Sequence, residues 1–302
     1  MTTRKFTILI TTKNRLDDLR FTLTKIDHLL QRQDVSCVLC DDGSTDGTSD
    51  FIKANYPAIH LIRNEKSRGL IYSRNKLLSL VQSDYAISID DDLHFITENP
   101  LELIEDYFNA HPKCGLIGFR IFWSKDEPSS TQTSQQPHRM KSFPGGANVW
   151  RMEAWRQIPD YPAWFIFHGE EDFASYELFK KNIEIHYLPA VLVHHRVDLK
   201  ARKKQSDYTI RLKRSLRSGW FLYFLFFPLI KIPRLLAYSI WMQLKLKVFK
   251  GDFKALQAIV LALFDLVIFF PKIVKNSNRL TLEEYRSYEK LPNIRLYWQP
   301  EK

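Results

Sequence analysis

Between residues 6 and 123 the chain switches repeatedly between two periods, and this switching limits the folds open to it. The apolar, β-branched run at 6–11 reads as a buried strand. Leu16, Leu19, Leu23, Ile26 and Leu30 then recur every three or four positions, the stripe of an amphipathic helix. The same alternation continues with strands at 35–40, 59–63, 85–90 and 114–123. Helices are predicted at 46–54, 70–81 and 100–111. Strands separated by helices imply an α/β fold with a Rossmann-like, mostly parallel sheet and helices on both faces. Ligands of such sheets sit beyond the carboxyl ends of the strands.

Composition adds one asymmetry. Of 302 residues, 44 are Lys or Arg and 34 are Asp or Glu, a formal charge of +10. Residues 196–250 hold 14 Lys/Arg and 2 Asp, so this segment carries +12 and the remainder −2. Such a segment calls for an anionic surface. Long apolar aromatic runs interrupt its charges, which suits a membrane face and argues against nucleic acid. Trp220 to Ile230 is almost wholly apolar, and residues 255–271 are apolar apart from Gln257 and Asp265. Both runs fall short of the roughly 20 apolar residues of a membrane span. They are expected either as helices lying in the membrane interface or as buried helices packed on the first domain.

Cys37, Cys40 and Cys114 do not build a disulfide framework. Cys37 and Cys40 are three apart on a strand and so face opposite sides of the sheet, which makes them core residues. With no secretory pattern at the N-terminus, a cytoplasmic setting is expected, peripheral on the inner face of the membrane. The polar run at 125–141 reads as a mobile insertion or as a lid over a site.

The acidic clusters carry the chemistry. Asp41-Asp42 follows the second strand and Asp90-Asp91-Asp92 the fourth, so both lie at one edge of the sheet. Adjacent carboxylates repel unless a cation or hydrogen-bond donors compensate. Such hard oxygen ligands suit Mg²⁺ or Mn²⁺. Glu170-Glu171-Asp172 opens a helix behind an apolar aromatic run, where a partly buried acid can act as a general base. Gly145-Gly146 lets backbone approach a ligand closely. His194 and His195 end a strand near the acidic loops and are candidate metal or phosphate contacts.

With these residues in place, the chain resembles the family 2 glycosyltransferases, over roughly the first 200 residues. The resemblance is carried, in order, by Ile10-Thr-Thr-Lys-Asn-Arg15, Cys40-Asp-Asp-Gly-Ser-Thr-Asp-Gly-Thr48, Asn64, Gly69 and Ser73-Arg-Asn75. Ser88-Ile-Asp-Asp-Asp92, Phe143-Pro-Gly-Gly-Ala147, Gly169-Glu-Glu-Asp172 and residues 189–195 follow. It implies a GT-A fold and an inverting transfer. Thr11 and Asp41 match residues that hold the base and ribose, and Arg74 a basic residue near the diphosphate. Asp90 and Asp92 match a DxD motif, with Asp92 on the metal. The neighbouring motif positions Asn14, Arg15, Asp42, Asn64, Gly69, Asp91, Gly145 and Gly146 join the expected nucleotide-sugar site. Asp172 matches the catalytic base, with Glu171 as the other register of the acidic run. Glu177 stands near a position where the family usually carries arginine.

The expected organisation is therefore a GT-A domain over 1–215 and a helical, amphipathic, membrane-associated tail over 216–302. The expected function is metal-dependent transfer of a hexose from a nucleotide-sugar donor, UDP- or dTDP-linked, to a glycan or lipid-linked acceptor. The competing reading is a catalytically inactive sugar-nucleotide-binding partner in a glycan-assembly complex.

Overall fold

The structure is a computed structural model, describing residues 4–197, 208–294 and 297–300. Four strands form the parallel half of one sheet: β1 (Phe6–Thr12), β2 (Val35–Asp41), β3 (His60–Arg63) and β4 (Tyr85–Asp90). They lie side by side in the order β3-β2-β1-β4. Their connections are α1 (Leu16–Leu30), α2 (Thr48–Asn55) and α3 (Leu70–Leu78), as the alternating periods predict.

Beyond β4 the sheet is mixed. It adds β5 (Leu93–Phe95), then, after α4 (Pro100–Ala110), β6 (Cys114–Trp123), β7 (His138–Arg139) and β8 (Ala147–Arg151). The last strand is β9 (Glu184–His195), which follows α5 (Met152–Trp155) and α6 (Glu170–Lys180). Strand β8 runs antiparallel between β4 and β6, and β5 and β7 both pair antiparallel with β9. Strands β5, β7 and β8 are too short to show a period, so the sequence pattern does not mark them. Pro189 cannot donate to a ladder, and β9 slips its register on β6 between the pairs Phe119–Leu188 and Arg120–Leu192, the place where the proline falls.

Side-chain alternation divides the core into two layers. Phe6, Ile8, Ile10, Cys37 and Leu39 face α1 and α4, packing on Leu19, Leu23, Ile26 and Phe108. Leu9, Val38, Cys40 and Trp150 point to the other side and meet Ile71 and Leu77 of α3 and Phe173 of α6. Cys37 and Cys40 thus take opposite faces, both buried and unbonded.

The C-terminal helices are α7 (Tyr208–Phe226), α8 (Ile232–Leu246), α9 (Phe253–Lys275) and α10 (Leu282–Glu289). The expected domain boundary at 215 falls inside α7. Phe221, Leu225, Phe226, Leu266, Ile273 and Tyr288 belong to the same hydrophobic cluster as Phe173 and Trp150. Large side chains buried this fully contribute about 1.5–3 kcal/mol each. The tail is therefore part of the second core layer. Further, α9 continues as one 23-residue helix through Pro271, long and apolar enough by length and composition to cross a bilayer, where the sequence reading found the run too short. The Lys/Arg at 200, 202, 203 and 204 lie outside the described residues. The run at 125–141 is held along β6 and β9: Arg120 donates to the Thr131 carbonyl at 2.8 Å, and Tyr187 Oη to Gln135 Oε1 at 2.6 Å.

Candidate active site

The carboxyl ends of β1, β2 and β4 converge, in register, on one edge. Thr12 pairs with Asp41, and Thr11 with Asp90. A cavity of about 340 Å³ opens there, lined by Thr11, Thr12, Lys13, Arg15, Asp42, Ser67, Gly69, Asp90, Asp91 and Phe167 among others.

Some of the acids organise this edge from within. Asp41 is fully buried; its Oδ1 accepts from the Ser44 amide at 2.7 Å and its Oδ2 from Ser49 Oγ. Asp42 accepts from Asn64 Nδ2 (2.8 Å), Ser67 Oγ (2.6 Å) and the amides of Arg68 (2.8 Å) and Gly69 (3.0 Å). Burial pushes its pKa up, but these donors outweigh that and hold it below the usual carboxylate range. Gly69 sits at φ +92°, a region glycine enters without cost, which lets the turn close on Asp42. Asn14, itself at φ 51°, accepts from the Thr45 amide at 2.7 Å and fastens the loop after β1 to the loop after β2.

Asp90, Asp91 and Asp92 diverge. Asp91 is buried, accepts from Thr12 Oγ1 at 2.8 Å and pairs with Arg15 at 2.8 Å; burial raises its pKa to about 8. Asp92 pairs with Arg15 Nη2 at 2.6 Å and lies 3.0 Å from His195 Nε2. Burial alone would raise its pKa; contact with His195 and Arg15 overrides this and holds it low. Its Oδ1 is buried and makes no aligned hydrogen bond. Asp90 is partly open and accepts from Arg74 Nη2 at 3.2 Å.

His195 reaches this group because β5 pairs with the end of β9 in the register Leu93–His195. Possible ligand atoms of Asp90, Asp92 and His195 all lie within 4.8 Å of one another. Two hard carboxylates and an imidazole whose Nε2 faces Asp92 Oδ1 make a donor set that fits a divalent cation. His194 does not join them. Neighbouring strand residues face opposite ways, and His194 Nε2 instead lies 2.9 Å from the Ser124 carbonyl.

Arg74 ties the cation group to the acidic helix. Buried on α3, it contacts Asp90, Glu170 Oε1 at 2.9 Å and Glu171 Oε1 at 3.7 Å. A Cβ on Gly145 would lie 2.1 Å from Glu171 Oε1, and one on Gly146 1.9 Å from Asp90 Oδ2. The two glycines therefore let β8 press against both acids. Burial, with the neighbouring Glu170, pushes the Glu171 pKa well up against the opposing pull of Arg74. Asp172 contacts Ser142 with Lys141 nearby; its surface is open, yet packing around its carboxyl raises its pKa as well. Glu171, rather than Asp172, thus lies beside Arg74, which also holds Asp90.

Sequence reasoning missed several supports. Thr22 Oγ1 donates to the Asp91 carbonyl at 2.7 Å. Arg196 donates to Thr22 Oγ1 at 2.7 Å, while its amide donates to the Asp92 carbonyl at 3.0 Å. The turn before α6 holds Ile166 and His168 at φ 71° and 70°, followed by Gly169 at φ 90°. Positive φ is costly for β-branched isoleucine. Two residues of α7 brace this turn: Arg217 Nη2 donates to the Phe165 carbonyl and Ser218 Oγ to that of Phe167. The position of Arg196, directly after the two histidines, was the one available signal.

Comparison with known proteins agrees with this geometry. Residues 7–167 match the family model described as glycosyl transferase family 2. No curated protein matches. A solved structure of GalNAc-T7 with UDP, GalNAc and Mn²⁺ aligns with a TM-score of 0.59 at 15% identity, covering 74% of this chain and 48% of that one. The chain thus spans about half the length of GalNAc-T7. The mannosyltransferase PcManGT from Pyrobaculum calidifontis, in complex with GDP-Man and Mn²⁺, aligns with a TM-score of 0.56 at 15% identity, covering 96% and 79%. TarS of S. aureus aligns at 0.50 and 13% identity, covering 72% and 40%. At such identities the likeness is one of fold, the GT-A fold.

Proposed function

Because this chain belongs to glycosyl transferase family 2, and is a glycosyltransferase, we propose that it is an inverting, metal-dependent hexosyltransferase. In this reading the donor is a UDP- or dTDP-sugar and the acceptor a hydroxyl of a glycan or a lipid-linked sugar. The observation that carries it is the meeting of Asp90, Asp92 and His195 with Arg74 and Glu171 at the carboxyl edge of the parallel strands.

Asp90, Asp92 and His195 would hold the cation, and the imidazole favours Mn²⁺ over Mg²⁺. A divalent ion there supplies positive charge against the negative charge that grows on a departing diphosphate. Thr11, Thr12, Ser67 and Gly69 line the cavity and are assigned to the nucleotide. Asp42 and Asn64 fix the shape of its rim. Glu171 takes the proton of the acceptor hydroxyl while that oxygen forms a bond to the anomeric carbon. The bond from that carbon to the diphosphate oxygen breaks, and its electron pair leaves with the diphosphate. Attack from the face opposite the leaving group inverts the carbon. A carboxylate whose pKa is raised by burial is the stronger base.

Purified full-length protein incubated with a panel of nucleotide-sugars and Mn²⁺ should slowly release one nucleoside diphosphate, and EDTA should stop this. Tight nucleotide binding with no turnover on any donor or glycan acceptor would instead identify a non-catalytic, sugar-nucleotide-binding subunit.

A further inference from the structure

Helix α9 is amphipathic in the inverted sense. Phe253, Val260, Phe264 and Val267 recur every three, four or seven residues and form its exposed stripe; Phe253 is 73% and Val267 72% exposed. The one acid within the helix, Asp265, is on the buried side, bonded to Lys213 at 2.9 Å and Arg217 at 3.2 Å. Helix α8 carries exposed aromatics of its own, Tyr238 and Trp241. A solvated helix has the opposite arrangement, and an exposed apolar face of this extent marks an interaction surface.

Charge selects the partner. Between residues 229 and 275 stand eight Lys or Arg and two Asp, with no Glu. Of the two acids, Asp265 is buried and Asp252 caps α9, accepting from the Ala255 amide at 3.0 Å. Lysines cluster at both ends of the stripe, Lys250 and Lys254 at one and Lys272 and Lys275 at the other. An apolar stripe with aromatic residues and basic ends matches the boundary between acyl chains and anionic headgroups. A second copy of the chain would offer these lysines no acid from the same face. Although α9 is long enough to span, its buried face carries Ala258, Ile259, Ala262 and Leu266 into the protein core, and Asp265 is paired there. Crossing a bilayer would strip all of these away.

We propose that α8 and α9 form a plate that lies on an anionic lipid bilayer, with the α9 stripe sunk into the headgroup–acyl boundary and no helix crossing. The plate does not depend on the transfer reaction. It places the protein peripherally on the face that carries anionic lipid, the cytoplasmic leaflet.

The test is sedimentation of the full chain with vesicles of phosphatidylcholine alone or mixed equally with phosphatidylglycerol. The protein should pellet with the mixed vesicles, and high salt should weaken but not abolish this, because the apolar contact is insensitive to screening. The double variant Val260→Asp/Val267→Asp changes two exposed side chains and should lower the partition about ten-fold or more, with its melting and nucleotide binding intact. Lys250→Glu/Lys254→Glu gives a second, independent reading and should weaken the preference for anionic lipid without changing binding in high salt. A protein that stays in the supernatant with the mixed vesicles overturns the proposal. So does pelleting that neither variant weakens, or a dimer that the double Asp variant splits, which would show that a second copy covers the stripe.

Discussion

Gly145 and Gly146 mark how closely the site is built, because any side chain there would enter an acid's carboxylate. In Gly146→Ala the new Cβ would stand 1.9 Å from Asp90 Oδ2, so Asp90 must move. We expect Mn²⁺ affinity, read by calorimetry, to fall by about 10–100-fold, the range for disturbed supports of metal ligands. Gly219→Ala, where no atom lies within 4 Å, is the control; it should leave binding alone and stabilise α7 by roughly 0.5–1 kcal/mol. Glu171→Gln should cut transfer by about 10²–10⁴-fold with nucleotide affinity kept, whereas Asp172→Asn should retain activity. If Glu171 is the base it must be deprotonated to act, and with its pKa raised, transfer should rise with pH through a limb above the ordinary glutamate range. The same shift fixes the sign for stability. The contribution of protonated Glu171 is complete below its unfolded pKa and is lost as pH rises through the native one, so Glu171→Gln should melt higher than the parent at neutral pH. The sequence made three consecutive acids visible here but not which of them turns inward. That depends on where the Ile166–Gly169 turn starts the helix, and such a turn, with residues at positive φ, has no periodic signature.

Among the elements, the alternating periods made the parallel half legible because its strands are buried on both faces and its helices are long enough to show a stripe. Strands β5, β7 and β8 are defined only by their partners. Hence the pairing of Leu93 with His195, which brings the imidazole to Asp92, could not be read from the sequence. The histidine pair was visible as a strand end, and the two-residue period of that strand then separates His195 from His194. Helix α7 shows a second link that no local pattern signals: Arg217 joins Asp265 of α9 to the Phe165 carbonyl in the turn before Glu170. Asp265→Asn leaves Arg217 buried without its counter-charge and should destabilise the protein by about 3–5 kcal/mol in chemical denaturation. Replacing both partners, Arg217→Met with Asp265→Leu, should recover most of that loss. The double variant should still transfer more slowly than the parent, because the Phe165 carbonyl has lost its donor.

For the whole molecule, the break in composition near residue 215 reads as a domain boundary, but the structure places one core across it. Apolar runs alone do not say whether a helix packs inward or stays exposed, and α9 does both, one side each. A chain ended after Ser215 would uncover Phe173, Tyr176 and Phe165, which pack on Phe221 and Phe226. It should aggregate or melt without a cooperative transition, while the full chain unfolds in a single calorimetric step. The pairing of Leu93 with His195 also bears on events during synthesis. A chain emerging from the ribosome presents Asp90 and Asp92 a hundred residues before the histidine that completes their group, and Arg217 and Asp265 later still. Long-range closures of this kind come late in folding. On the proposed function, the nascent polypeptide would pass most of its translation without a complete site, and that site would be finished only when the helices that present the lysine-flanked face have themselves been made.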